Sequence, residues 1–408
     1  MQDGSPAPTS DGPQIETAET VEMVDTDEAD GTAGAAADGS ATDPIRSAAA
    51  GAPQATAPRD PTPSAGQEDA AEPAGDEPYV DERPLPHAAG ISLRVVLAWA
   101  RIAHAPYLVL SVAPVVVVAA LLWAQDVAIS LGLLILTACA AALIQAGAHT
   151  LDAYLDYVRA QRLIATAPNE SVAQHASLHI ARLLQAGIYP LDALRAAAVL
   201  LVLGACLGIP LALAGGVPVL LLGAGGVLVA FLYSATSYAL KRLPLGELAV
   251  ALALGPGMVA VTALAQGQPI TPFILALGAG LGLFAGALVM AANLRALTPE
   301  MRDGRRTLVR LVGRARGRRL YLATLVAAYA VVVVAALWQG APHGALAVLF
   351  SLPVAILPLT GALRARVAAT LTPVVRGTLR AYAYFAFWLT IGLLLGGLYL
   401  HLLRLAGA

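Results

Sequence analysis

The sequence predicts an all-α, polytopic membrane protein of nine spanning helices, preceded by a disordered acidic tail. Three observations carry that expectation. The 408 residues are 58% hydrophobic with a mean hydropathy of +0.70, against roughly 45–50% apolar residues in a soluble globular chain. The apolar residues fall into long runs separated by short polar breaks. The charge is segregated. Residues 1–90 hold 19 of the 27 acidic residues against three arginines, and the rest of the chain holds eight acids and 22 basic residues. The net charge of −2 thus averages an acidic tail with a basic body.

Residues 1–88 are rich in Ala, Gly, Pro, Asp, Glu, Ser and Thr, with almost no large apolar side chains. Such a segment cannot bury enough surface to offset its chain entropy. It is expected to be a solvated, disordered tail, with docking of a partner as the alternative. It lacks a basic start followed by an apolar core, so it does not read as a signal peptide. Residues 89–408 are expected to form the transmembrane domain.

Nine apolar runs reach the roughly 20 residues that a bilayer crossing needs. They lie near 104–123, 127–148, 193–214, 217–236, 246–265, 271–292, 319–338, 343–362 and 381–403. Closely spaced runs, such as 193–214 and 217–236, read as helical hairpins. The breaks after the second, fourth, sixth and eighth runs are basic, with nine arginines between Arg295 and Arg319 alone. The other breaks, such as Ala124–Asp126 and Gln266–Gln268, contain no Lys or Arg. The positive-inside bias therefore places the N-terminus and the basic loops in the cytoplasm of a cell-membrane protein. Arg404 opposes this weakly. Pro114, Pro256 and Pro353 fall inside spans, where they either open the backbone or serve packing. The Gly278–Gly286 cluster reads as a close helix contact. Cys139 and Cys206 lie inside apolar runs and are expected to be small core residues.

Two polar clusters stand at the ends of the second and sixth runs. In the first, Gln145, His149, Asp152, Asp156 and Arg159 are spaced by 4, 3, 4 and 3, which places them on one helix face. An Asp at the membrane centre costs about 2.5–3.5 kcal/mol on insertion scales, so a polar stripe entering an apolar span is functional or paired. The alternative is a helix end that has reached water. The second cluster is AANLRALTPEMRDGRRTLVRLVG, Ala291 to Gly313. Pro299 stops or bends the preceding helix. An amide, two carboxylates and a dense cationic run then meet at its end.

The second cluster resembles the second motif of the UbiA-type polyprenyltransferases, N-x-x-D-x-x-x-D-x-x-x-G-K-x-T-L followed by an apolar residue and a Leu-Gly pair. Asn293, Arg295, Gly304, Thr307, Leu308 and Gly313 match; Glu300 and Arg305 stand where the second Asp and the Lys are expected, and Ala296 where the first Asp is. The first cluster resembles the family's N-D-Y-x-D-Y-x-x-G-x-D motif through Tyr154, Asp156 and Tyr157. There Asp152 replaces the Asn, Ala153 the first Asp, Ala160 the Gly and Arg162 the last Asp. Residues Phe231 to Gln268 resemble the branch that prenylates 1,4-dihydroxy-2-naphthoate in menaquinone synthesis, through Tyr233, Tyr238, Lys241, Leu245-Gly246-Glu247 and Gly255-Pro256. Leu184–Arg195 fits that branch more loosely.

The resemblance implies transfer of a polyprenyl group from its diphosphate to an aromatic acceptor at the membrane face. Asp152, Asp156 and Glu300, with Asp303, would bind Mg²⁺, a hard cation that prefers carboxylate oxygen and bridges to phosphate. Asn293, Arg295, Arg159, Arg305 and Lys241 would bind diphosphate. Lys241, the only lysine in the chain, could instead be a topological anchor, and Glu247 a partner of a helix N-terminus. The lost carboxylates at Ala153 and Ala296 keep a second reading open, a catalytically lapsed relative that binds isoprenoid lipid. A transporter fits less well, because transport sites lie on broken helices near mid-membrane. The basic loops have no interleaved aromatics, so no nucleic-acid partner is expected. His175 and His179 are spaced by four, a weak metal pattern.

Overall fold

Pro272–Arg295 (α7 in the numbering below) is the helix against which Val109–Ala124, Gly246–Leu252, Met258–Ala265, Leu308–Ala336 and Thr372–Leu405 are stacked, while Leu131–Ala165 and Pro190–Ser234 pack on each other. The structure, a computed structural model, describes residues 93–166, 177, 180, 183–184, 186–234, 239–297, 306–338, 341–365 and 371–406. The expected tail, His175, His179 and the segment 298–305 with Glu300, Asp303 and Arg305 lie outside the described residues.

A short helix α1 (Leu93–Ile102) and a 3₁₀ turn (Ala105–Leu108) lead into α2 (Val109–Ala124) and α3 (Leu131–Ala165). Next come α4 (Pro190–Ser234), a 3₁₀ turn (Leu240–Arg242), α5 (Gly246–Leu252), a π turn (Ala253–Gly257) and α6 (Met258–Ala265). Then follow α7 (Pro272–Arg295), α8 (Leu308–Ala336), a 3₁₀ segment (His343–Ser351), α9 (Leu352–Arg364) and α10 (Thr372–Leu405). Every regular element among the described residues is helical. Eight continuous stretches among them are long and apolar enough to cross a membrane. One of these is α4, whose 45 residues break at Gly216 with φ 72° and ψ −164°. Unbroken, it would run about 68 Å, twice what a roughly 30 Å hydrocarbon core needs. Its two arms correspond to the runs expected at 193–214 and 217–236, so the eight stretches among the described residues contain all nine expected apolar runs.

α3, α8 and α10 extend well beyond their apolar runs, α10 by starting at Thr372. α3 continues 17 residues beyond the run ending at 148, because its polar stripe occupies one face while Ala, Leu and Val continue on the other. The hydropathy run marked where the helix leaves the apolar slab, not where it ends. α8 begins at Leu308, with a break at Gly313 (φ 77°), so Arg314, Arg316, Arg318 and Arg319 are carried on a helix.

α7 starts with Thr271, whose hydroxyl caps the Ile274 amide at 3.2 Å, and with Pro272 in the first turn, a pre-organised helix start. Small residues let its neighbours close on it. A Cβ at Gly282 would stand 2.1 Å from the Ala251 carbonyl oxygen, so α5 crosses there at backbone contact. Phe284 of α7 meets Tyr329 of α8 and Tyr382 and Phe385 of α10 at ring separations of 6.1, 6.0 and 5.3 Å, in the edge or tilted geometries that aromatic rings prefer. Pro256 sits in the π turn that divides the fifth span into α5 and α6. Cys139 and Cys206 are free and exposed on the helix surfaces, which corrects their expected place in the core. A small thiol is tolerated equally well where a helix side faces lipid.

The polar breaks gather at the two ends of the bundle. At one end Gln266 bonds Ser130 twice, at 2.8 and 3.1 Å, and Asp126 pairs with His401 at 2.9 Å and with Arg404. At the other end stand the basic segments and both polar clusters.

Candidate active site

At the basic end, the 3₁₀ turn Leu240–Arg242 delivers Lys241 to the stripe of α3. Pro244 keeps Leu243 out of the helical region, and Leu243 is extended at φ −104°, ψ 162°. The turn then folds back on α5 so closely that a Cβ at Gly246 would stand 2.6 Å from the Leu240 carbonyl. The Lys241 ammonium donates to Asp156 Oδ1 at 2.7 Å and to Asp152 Oδ1. Ser234, the last residue of α4, donates its hydroxyl to Asp152 Oδ1 at 2.6 Å. Arg159 donates to Asp156 at 3.2 Å and to the Ser234 carbonyl. The Lys241 side chain is only 10% exposed, and those of Asp152 and Asp156 are 22% and 16% exposed.

Two acids and two bases therefore balance in a largely water-excluded cleft. In such a setting removal of one partner leaves an uncompensated charge. One turn further into the bundle, Gln145 donates to the Tyr107 carbonyl at 2.8 Å and approaches His149 at 3.4 Å. The His149 ring lies 4.8 Å from that of His104. The whole stripe is thus engaged by partners from other elements or along its own helix.

Ala153, where the first motif would carry an Asp, does not face this cleft. It is 6% exposed and packs in an apolar cluster with Ala98, Ile102, Leu183, Ile188 and Ala193.

The second cluster contributes differently from the expectation. Asn293 donates to Glu247 Oε1 at 2.8 Å. Glu247 is 2% exposed at the start of α5. Its second oxygen has no hydrogen-bond partner among the described residues. Arg306 donates its amide to the Arg242 carbonyl at 2.7 Å, and Arg314 donates to the Leu297 carbonyl. The residues on either side of 298–305 are thereby tied to the Lys241 turn, to Glu247 and to each other. Arg295 is exposed at the end of α7.

Of the expected site residues, Asp152, Asp156, Arg159 and Lys241 meet directly. Asn293 is drawn to Glu247, and Glu300, Asp303 and Arg305 lie outside the described residues. Ser234 and Glu247 are additions to the expected set. Glu247 stood in a quoted motif, but nothing in the sequence paired it with an amide 46 positions away.

The donors suit a hard divalent cation in kind: two carboxylate oxygens converge on a single cationic atom, with no sulfur or imidazole among them. Among the described residues no three His, Cys, Asp or Glu come together as a metal cluster, so any third ligand of these types would come from outside them, where Glu300 and Asp303 lie.

The sequence model of the UbiA prenyltransferase family matches residues 111–372. The chain belongs to that family. It is also 24% identical over 175 residues to the 1,4-dihydroxy-2-naphthoate octaprenyltransferase of Bacillus subtilis, a match covering 43% of this chain and 56% of that protein. The aligned part therefore spans little more than half the relative's length. The apo structure of a UbiA homolog from Aeropyrum pernix superposes with a TM-score of 0.50 at 17% identity, over 69% of this chain and 97% of that one. At that identity it speaks for the fold. A UbiA homolog from Archaeoglobus fulgidus, solved bound to Cd²⁺, gives 0.46 at 16% identity, over 72% and 99%.

Proposed function

We propose that this protein transfers a polyprenyl group from its diphosphate to an aromatic acceptor, with a naphthoate such as 1,4-dihydroxy-2-naphthoate as the acceptor class. Family membership supports prenyl transfer in a membrane, and the relative in Bacillus subtilis supports the acceptor class. The observation that carries the reading is the convergence of Asp152 and Asp156 on Lys241 at the basic end of the bundle. A polyprenyl diphosphate is an anion with an apolar tail. Cations held at the end of apolar helices match both halves of it.

In this reading Lys241 and Arg159 bind diphosphate oxygens, and Asn293, Arg295 and Arg305 add donors. Mg²⁺, held by Asp152, Asp156, Glu300 and Asp303, would supply the Lewis acidity that lets diphosphate leave. The isoprenoid chain lies among the apolar helices, which exclude water from the allylic cation until the acceptor ring attacks it. The basic end faces the cytoplasm, the N-terminus lies on that side, and the protein is embedded in the cell membrane.

The rival reading, a lapsed lipid binder, rested on Ala153 and Ala296. Ala153 packs away from the cleft, so only Ala296 still favours it. The deciding experiment is a transfer assay on purified full-length protein with a polyprenyl diphosphate, Mg²⁺ and a panel of aromatic acceptors. Wild type is expected to form prenylated product, and Asp156→Ala to lose at least about a hundredfold in rate, or about 2.7 kcal/mol of barrier. A wild type inactive with every acceptor refutes the proposal.

A further inference from the structure

We infer that Lys241 and a divalent cation compete for the same two carboxylates, so that the metal takes its place only when a diphosphate draws the lysine away. The inference rests on the proposed substrate only for the identity of that anion. Its basis is the local geometry. One ammonium contacts Asp152 Oδ1 and Asp156 Oδ1 together, and so occupies the point on which any metal bridging these oxygens would sit. Ser234 donates to that same oxygen of Asp152, and Arg159 donates to that same oxygen of Asp156.

The charge balance points the same way. Asp152 and Asp156 carry two negative charges, and Lys241 and Arg159 return two positive ones. Among the described residues these four charges cancel, so a dipositive ion entering that cleft has to displace a cation already in place. A diphosphate changes the account. Its several negative charges and phosphate oxygens offer the ammonium a second partner, on a side chain long enough to swing. The two carboxylates are then exposed to the divalent cation, which bridges them to the phosphate oxygens. Lys241 thus couples the two binding events and prevents the cleft from filling with metal in the absence of substrate.

The test uses full-length protein in detergent and Mn²⁺ alone as the probe, because Mn²⁺ shares the oxygen preference of Mg²⁺ and its unbound fraction is read by electron paramagnetic resonance. If the lysine holds the carboxylates in about nine molecules of ten, it weakens the apparent metal affinity about tenfold. Lys241→Met should therefore bind Mn²⁺ at least about tenfold more tightly than wild type, and Asp156→Asn added to it should abolish the gain. Equal Mn²⁺ affinity in wild type and Lys241→Met overturns the inference.

Should Lys241→Met fail to fold, wild type alone decides the matter. Lys241 carries the only ε-amino group in the chain, so an amine reagent followed by peptide mapping reads its environment. Mn²⁺ alone should leave its labelling rate unchanged, whereas Mn²⁺ with inorganic pyrophosphate should change it. A change with Mn²⁺ alone, or none under either condition, overturns the inference. None of these readouts needs an acceptor or turnover. Failure of the transfer assay with the Mn²⁺ pattern intact would sink the proposed function and leave this coupling standing; the reverse outcome would do the opposite.

Discussion

Ala153 stands where the first motif would carry a carboxylate, yet it packs in an apolar cluster. In the fold it is buried among Ala98, Ile102, Leu183, Ile188 and Ala193, with Trp99, Tyr154 and Tyr157 packed against the cluster and, among the described residues, no basic side chain in it. Ala153→Asp should therefore destabilise the protein, because burying a polar group without a hydrogen bond costs about 1–3 kcal/mol by mutational data, and an ionised carboxylate costs more. A thermal unfolding midpoint in detergent that falls below wild type, with no gain in Mn²⁺ binding, is the expected result. An unchanged midpoint with tighter Mn²⁺ binding would mean that position 153 reaches the cleft after all. The spacing of Asp152, Asp156 and Arg159 was legible in the sequence, because a 4-and-3 stagger is a local property of any helix. The carbonyl and hydroxyl of Ser234 and the carboxylate of Glu247 were not, because their roles depend on contacts made across 75, 82 and 46 residues.

Among the elements, the apolar runs located every long apolar helix of the described residues, but the runs did not show how closely the helices approach. Glycine spacing did show it for α7: the Gly278–Gly286 cluster reads as a close contact, and the structure places α5, the π turn and α8 against it. The Gly282 position is the most exacting. A Cβ there meets a backbone oxygen of Ala251 at 2.1 Å, which no rotamer change can relieve. Gly282→Ala should shift α5 away from α7 and lower stability by about 1–3 kcal/mol, the usual cost of overpacking. A control at Gly223, where a Cβ meets nothing within 4 Å, should be near neutral by the same thermal measurement. Equal effects at the two positions would show that the helices do not close at Gly282. The helix ends were less legible. Hydropathy reports where a helix leaves the apolar slab, so a helix such as α3, which continues with one polar face, is cut short in any reading by runs.

At the scale of the whole molecule, the question is which end faces which compartment. Arg404 was the one basic residue on the side otherwise lacking them. The fold supplies its explanation, since Arg404 pairs with Asp126 from the break between α2 and α3, and His401 joins them. The pair is exposed, with Arg404 62% and Asp126 45% accessible, so it adds only about 0–1 kcal/mol to stability. It matters because, among the described residues, it pairs the only Arg or Lys placed at that end with an acid, leaving the Arg and Lys asymmetry to orient the chain. Ser130 bonded to Gln266, and Asp126 bonded to Arg404, tie two of the polar breaks and the end of α10 into one layer. Asp152, Lys241 and Arg306 tie the basic ones into the other. Because each layer is held by contacts between distant segments, the orientation of one break dictates that of its whole layer. Reporter fusions in cells should therefore read outside at Gln125 and Gly267, and inside at Arg162 and Arg310. A uniform reversal of all four would invert the orientation and leave the layers intact. One reversed fusion among the four would contradict the layering itself, because Gln125 and Gly267 adjoin residues of one layer while Arg310 adjoins the other.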